Sequence, residues 1–556
     1  MKIEITLQTE PGREVITREA DAGILIEDLM NEYRSRLPYT VIAALVDNRV
    51  ELLSYMIEKP CFIRFLDMRA NAANRIYERS LCLLFLKAVS DVFGRGTGAD
   101  ILNSLNGGLY TRIHTQEPIT DGQLRLLEKR MWEMVDENLP IERTTVQKNE
   151  LIEGLQGVLS NEKLELLNHT PDVHYIAIYS LDGYMNYFYG PLAPSTRYLQ
   201  RFELYPFEKG VLLRFPKPAF PDSLPPYVDD KKLFEAFDEG WELARNFGLS
   251  FIGDLNNEID TGKARDIIML SEKLHTAKIN RIAGTIIGSG RRVVLIAGPS
   301  SSGKTTFAKR LSARLSELGG DPLYLGTDDY FLEREDSPLD DDGKPNFEGI
   351  AALDVALFND NITSLLAGKE TDLPTFDFIK GKKVFGKRIT KIDPGRIIVI
   401  EGIHALNEVM SAEIIEGNKY RIYISPLSQL NMDDHNRIPT TDVRLIRRIV
   451  RDNRGRNISV TATIDTWPKV RRGEEVNIFP YNGDADIVFN SSLLYELAAL
   501  RPHCESLLAE IQPDEPAYGD ASRLLDFLRF FRPIGDEGDI PVDSILREFI
   551  GGSVYA

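Results

Sequence analysis

The sequence predicts a multidomain protein of α/β and α+β class, with a mostly parallel sheet in its C-terminal half. Three observations predict it. The octapeptide Gly298-Pro299-Ser300-Ser301-Ser302-Gly303-Lys304-Thr305 fills every fixed position of G-x-x-x-x-G-K-[ST]. It lies between a strand-like run, Arg291-Arg292-Val293-Val294-Leu295-Ile296-Ala297, and a helix-like opening, Thr306-Phe307-Ala308-Lys309-Arg310-Leu311. Two further apolar runs end in acids. Leu323-Tyr324-Leu325-Gly326 precedes Thr327-Asp328-Asp329, and Ile397-Ile398-Val399-Ile400 precedes Glu401. Strands that end this way are those of an open parallel sheet.

Taken in order, residues 1–68 read as a small mixed domain. An alternating strand opens it, followed by a helix-like stretch Ile24–Met30 and strands at Val41–Val46 and Cys61–Phe65. Residues 69–264 read as α+β, with a helix from Asp121 to Leu139 whose apolar face is Leu124, Leu126, Leu127, Met131 and Met134. Residues 265–290 read as a connecting helix ending at Gly288-Ser289-Gly290. The phosphate-loop region spans 291–500. A tail, 501–556, is punctuated by Pro502, Pro513, Pro516 and a Gly/Asp-rich stretch near 535. At 556 residues the chain has room for roughly three to four domains.

Composition excludes some classes. No run approaches the ~18 apolar residues of a membrane span, so no membrane partner is expected. Cys61, Cys82 and Cys504 lie too far apart for a disulfide framework or a zinc pattern. The opening strand lacks a signal-peptide core, and together these features predict a cytoplasmic protein. A net charge of −18 argues against a broad nucleic-acid surface.

The octapeptide predicts a nucleoside triphosphate ligand. Its glycines let backbone N–H groups converge on phosphate oxygens at a helix N-terminus. Lys304 reaches the terminal phosphates and the Thr305 hydroxyl ligates Mg²⁺. Asp328, at a strand end, fits two roles: accepting a proton from an attacking hydroxyl, or capping a loop with Asp329. Glu401 is positioned to hold Mg²⁺. Arg444, Arg447, Arg448 and Arg451 fall on one helical stripe, extended by Arg454 and Arg456. Such a stripe calls for an anion, either a triphosphate under a lid or the nearby Asp442 and Asp452.

These segments in this order resemble the uridine kinase/phosphoribulokinase-like family of P-loop kinases. They are 298–306, Asp-Asp-Tyr-Phe at 328–331, Pro-Thr-Phe-Asp-Phe at 374–378, Glu-Gly-Ile-His at 401–404, the arginine stripe at 444–452 and Arg-Gly-Arg-Asn at 454–457. The resemblance implies an ATP- and Mg²⁺-dependent kinase. It places ATP on Gly298, Pro299, Ser300, Ser301, Ser302, Gly303, Lys304, Thr305 and Thr306, under a lid carrying Arg447, Arg451 and Arg454. Lys304 and Asp328 are then catalytic, with Asp328 the general base, and Thr305 and Glu401 serve Mg²⁺. The acceptor is implied to be a nucleoside, held by Glu348, Phe376, Phe378 and Arg444. One departure concerns specificity: Gly381 stands where uridine kinases carry a histidine that reads the pyrimidine.

Residues 1–68 resemble the TGS β-grasp domain of threonyl-tRNA synthetases, and the next domain resembles the editing domain that follows it there. The best-matched stretch is Leu105-Asn106-Gly107-Gly108-Leu109-Tyr110. Editing domains use a His-x-x-x-His pair plus a Cys and a further His. Here Arg79-Ser80-Leu81-Cys82-Leu83 and Phe188-Tyr189-Gly190-Pro191-Leu192 occupy those sites, which argues against metal binding or deacylation. The front half is expected to be a scaffold, a dimerisation element giving a homo-oligomer, or a sensor of substrate or RNA. Other readings of the whole chain are a kinase of a sugar phosphate or other metabolite, and a nucleotide-dependent RNA-binding regulator. A GTPase is disfavoured, since no Asn-Lys-x-Asp occurs.

Overall fold

The computed structural model describes residues 2–10, 15–154, 159–170, 173–340, 343 and 345–555. At the front, a five-stranded mixed sheet carries the helix Ile26–Glu32 across one face, the β-grasp arrangement. Its central strands Lys2–Gln8 and Cys61–Asp67 run parallel, and Ile5, Leu7, Ile63 and Phe65 meet Ile26 and Leu29 in the core. The expected helix at 24–30 is shifted, because Ile24–Leu25 pairs with Met56–Ile57 as a short ribbon.

The editing-like domain wraps a four-stranded and a three-stranded antiparallel sheet around the helix Asn71–Phe93. The helix predicted from Asp121 ends at Asp136 and opens with a capping box of Thr120 and Gln123. Leu124, Leu127, Met131 and Met134 face the core, but Leu126 is 57% exposed. Two residues on from Leu124, it is rotated by ~200° about the helix axis.

The C-terminal half is a three-layer α/β unit. Its elements are β1 (Val293–Ala297), α1 (Lys304–Glu317), β2 (Leu323–Gly326), α2 (Val355–Leu366), the hairpin β3 (Thr371–Asp377) and β4 (Lys382–Thr390), β5 (Ile398–Glu401), β6 (Lys419–Ser425), α3 (Thr440–Arg456), α4 (Val460–Asn477), β7 (Ile487–Asn490), α5 (Glu496–Ala509) and α6 (Tyr518–Leu528). The sheet is all parallel in the order β2-β5-β1-β6-β7. Its strands are apolar without alternation because both faces are buried. Val294, Ile296, Val399 and Ile422 join α1, α3 and α5 on one side, and Val293, Leu295, Ile398 and Ile400 join α2 on the other.

Packing crosses the boundaries expected at 264/265 and 500/501. Ala236 and Phe237, on the helix Lys231–Asn246, pack on the parallel sheet. The long helix Ala264–Ser289 contributes Ile279, Ile282 and Ile286 to the same core as Ile545, Phe549 and Ile550. Residue 500 lies inside α5, and Pro502 does not end that helix. The Ala498 carbonyl, which a proline at 502 leaves without its helical donor, accepts from the Ile534 N–H at 3.0 Å. The expected tail is therefore ordered structure.

A loop between β6 and α3 ties the halves together. Lys163 and Asp433, 1% and 0% exposed, form an ion pair at 2.8 Å, with Asp434 beside them. His435 Nδ1 lies 2.9 Å from Lys163 Nζ and 3.0 Å from Asn186 Nδ2.

Candidate active site

The phosphate loop follows β1 and feeds α1. Ser301 and Gly303 both have positive φ, 60° and 84°, which turns the chain so that the loop closes on itself. Glycine at 303 carries no Cβ to strain that turn. Lys304 Nζ donates to the Pro299 carbonyl at 3.1 Å and is largely buried. The Ser301 and Ser302 hydroxyls are buried without a hydrogen-bond partner.

Acids converge on this loop from neighbouring strand ends. Thr305 Oγ1 donates to Glu401 Oε2 at 3.2 Å, and Tyr324 OH donates to the same oxygen at 3.1 Å. Burial pushes the Glu401 carboxyl up to about 7, although Lys304 opposes the shift. A buried carboxylate beside a hydroxyl, with no cation bonded to it, is a donor set that fits Mg²⁺. Asp328 follows β2 on a single 3₁₀ turn, open to solvent on one side. Its pKa is raised by the surrounding protein and by Asp329, while Lys304 and Arg456 oppose the shift. Asp329 is engaged structurally: it accepts from the Phe376 N–H at 3.2 Å and pairs with Arg388 at 2.8 Å.

The arginine stripe differs from its expected role. Arg444 and Arg447 have side chains 1% and 0% exposed. Arg444 donates to the Ser300 carbonyl at 2.9 Å and pairs with Glu474, which also accepts from the Ser300 N–H at 3.0 Å. Arg447 donates to the Ser301 carbonyl at 3.3 Å and the Ser491 carbonyl at 2.9 Å, and pairs with Glu496. Both guanidiniums brace the loop from behind, their charge met by acids, so neither reaches over a triphosphate or an acceptor. Asp452 takes Arg448, Arg451 and Arg456, as expected for an internal counter-ion, but Asp442 pairs with Arg523 instead. Arg448 reaches the loop through the Ser300 hydroxyl at 2.9 Å. Arg454 is exposed and donates to the Phe549 carbonyl. Replacing Arg447 by alanine should therefore cost about 3–5 kcal/mol, because Glu496 is left buried and unpaired. Denaturant melts should also show most of that loss recovered in Arg447→Met, Glu496→Met. A melt of the single variant indistinguishable from wild type would contradict the bracing role.

Glu474, Glu496 and Glu548 escape sequence reasoning. Glu474 and Glu548 touch the loop from more than 150 residues away, and Glu496 reaches it only through Arg447, all in segments with no motif. Glu548 accepts from both the N–H and the hydroxyl of Thr306, at 3.3 and 2.8 Å.

Beyond β2, Phe331, Phe347, Phe376 and Phe378 form a patch of edge-to-face rings with centroids 5.1–6.4 Å apart. Phe376 is buried and Phe378 is 61% exposed. Gly381 has φ +67° in the turn between β3 and β4, and a Cβ there would meet the Arg334 side chain. Arg334 thus fills the space a histidine would need, and donates to the Phe378 carbonyl at 3.1 Å. Glu348 packs against Gly473 of α4. Burial pushes its carboxyl up to about 7, from an ordinary value of 4.5, with Arg448 opposing and Glu474 adding. A carboxyl raised on folding favours the folded state fully below 4.5, and the benefit is lost as pH rises through about 7. Glu348→Gln should accordingly raise the melting temperature over wild type at pH 8 and leave it nearly unchanged at pH 5. The same shift at both pH values would refute this.

In the front half, Arg79 Nη1 donates to the Pro191 carbonyl at 3.0 Å, so this guanidinium bridges the segments 79–83 and 188–192. Among the described residues no group of acids, histidines and cysteines has metal-site geometry, and no helix is long and apolar enough to cross a membrane.

Comparison with known proteins agrees with this arrangement. Residues 293–494 match the family model of the Phosphoribulokinase / Uridine kinase family. A uridine kinase of Tolumonas auensis is 29% identical over 182 residues, covering 32% of this chain and 77% of that one. A uridine kinase of Halobacterium salinarum is 25% identical over 233 residues, 41% of this chain and 94% of that one. A threonine–tRNA ligase of Polynucleobacter asymbioticus is 26% identical over 187 residues, which are 34% of this chain but only 29% of the ligase. With an all-parallel sheet, a phosphate loop and acids at the strand ends, residues 293–494 are matched by the model of the phosphoribulokinase/uridine kinase family, set behind an N-terminal part similar to threonine–tRNA ligases.

Proposed function

We propose that this protein transfers a phosphoryl group from ATP to a hydroxyl of a small molecule, and that the acceptor is a nucleoside. The observation that carries the reading is the convergence of Lys304, Asp328 and Glu401 at the C-terminal ends of the adjacent strands β1, β2 and β5. Loop amides and Lys304 bind the phosphates, and Lys304 offsets charge as it builds in the transition state. Asp328 takes the proton of the attacking hydroxyl. Thr305 and Glu401 would hold Mg²⁺, which neutralises phosphate charge when bound. Arg448, which reaches the Ser300 hydroxyl, and the lid arginines Arg451 and Arg454 are the arginines left to meet a triphosphate.

The aromatic patch beside Asp328 supports a flat, π-faced acceptor over a bare sugar phosphate. Stacking serves any base, and apolar packing discriminates by only ~10–200-fold. A panel of uridine, cytidine, adenosine, guanosine, inosine, ribose phosphates and RNA, each incubated with Mg²⁺ and ATP, tests this by ADP release and product mass. The expected result is phosphorylation of several nucleosides with rates within about 200-fold of each other. Turnover with sugar phosphates alone, or only with RNA, would overturn the nucleoside reading. A preference for one base by several thousandfold would mean that a polar group such as Arg334 reads it.

A further inference from the structure

The segment that follows the Gly/Asp-rich stretch runs across the phosphate loop. Ile545 sits so close to Gly303 that a Cβ there would strike its side chain. Phe549 lies under Arg447, ring centroid to guanidinium carbon 4.9 Å, and its carbonyl takes the Arg454 Nε–H at 3.2 Å. Lys309 of α1 bonds the Tyr555 carbonyl. Between these anchors, Glu548 aims its carboxylate at the start of α1.

The donors it takes are informative. Thr306 is the third residue of α1, so its N–H has no partner within the helix. Donors of this kind at a phosphate loop are the ones an anionic ligand takes. Here one carboxylate oxygen receives both the Thr306 N–H and its hydroxyl, at 3.3 and 2.8 Å. The neighbouring Ser301 and Ser302 hydroxyls, by contrast, have no partner. Glu548 also contributes to the upward push on Glu401, as a negative group inside the site would.

We propose that the segment 544–550 is an internal competitor for the nucleotide: Glu548 occupies a phosphate seat on Thr306, and ATP binds as Glu548 leaves it. This rests on the reading of residues 298–306 as a nucleotide site. A second anion cannot share those donors, and a triphosphate beside a fixed carboxylate meets like-charge repulsion in a partly dry crevice.

The experiment compares the full chain with Glu548→Gln, which keeps shape but removes the charge. Affinity for Mg²⁺·ATP is measured by calorimetry. Binding should tighten about twofold to thirtyfold in the variant, the range of one charge at a helix N-terminus. On the wild-type protein, amide hydrogen exchange in 544–555 should speed up at saturating Mg²⁺·ATP. A static cap predicts the opposite: unchanged or weaker ATP binding in Glu548→Gln, and unchanged or slower exchange in that segment. Either result overturns the proposal. If the variant fails to fold, the wild-type exchange decides alone. If neither protein binds ATP, the nucleotide reading itself falls and takes this proposal with it, whereas equal binding by both refutes only the competitor.

Discussion

Lys304→Ala is expected to lower turnover by roughly a hundredfold or more with the fold intact, the effect of removing a charge-stabilising donor. The lysine is largely buried, yet among the described residues its amine bonds only a carbonyl of the loop itself, at 3.1 Å. No core contact depends on that charge. Among the carboxyls whose upward shifts Lys304 opposes are Asp328 and Glu401. The variant should thus also move the acidic limb of the pH–rate profile to higher pH, because these acids must ionise to act. Steady-state kinetics across pH, with circular dichroism for the fold, check both parts. Near-normal turnover in a well-folded variant would end the assignment.

Asp328→Asn separates chemistry from binding. Asparagine keeps the shape but cannot take a proton, so transfer should fall by about 10²–10⁴-fold while ATP affinity stays within a few-fold of wild type. Asp328 stands on the short turn after β2 and makes no contact that holds the hairpin, which is the task of Asp329 through Phe376 and Arg388. Asp329→Asn is the matched control and should act through stability. If Asp328→Asn instead lost ATP binding and retained its rate at saturation, Asp328 would be a binding residue.

What the sequence made legible followed from local rules. The phosphate loop, the strands at 293–297, 323–326 and 398–401 and the acids that end them are set by short apolar runs and glycine spacing. The arginine spacing correctly placed four guanidiniums on one helix. The partners of Arg444 and Arg447 were not legible, because Glu474 and Glu496 come from α4 and α5, and only the tertiary fold brings them behind the loop. Burial therefore turned two expected ligand contacts into internal braces. Leu126 shows the smaller error of reading hydrophobicity without angle. Pro502 shows the opposite error, since the orphaned carbonyl that marks a helix breaker became the docking point for residue 534. In the domain before the phosphate loop, the bridge from Arg79 to Pro191 was not legible, because the two residues are more than a hundred positions apart.

The continuous core also bears on how such a chain can change over generations. A kinase cassette cut at its sequence-apparent edges, 291 and 500, would leave behind the helix Lys231–Asn246 and the Ile545–Ile550 stretch, and would sever α5. The buried Lys163–Asp433 pair adds a lock in which either half alone strands a charge. Recombination that swaps one half for a relative's must then rebuild both faces of the seam at once. The two parts of this chain are packed as one unit, so substitution in either half is constrained by the other.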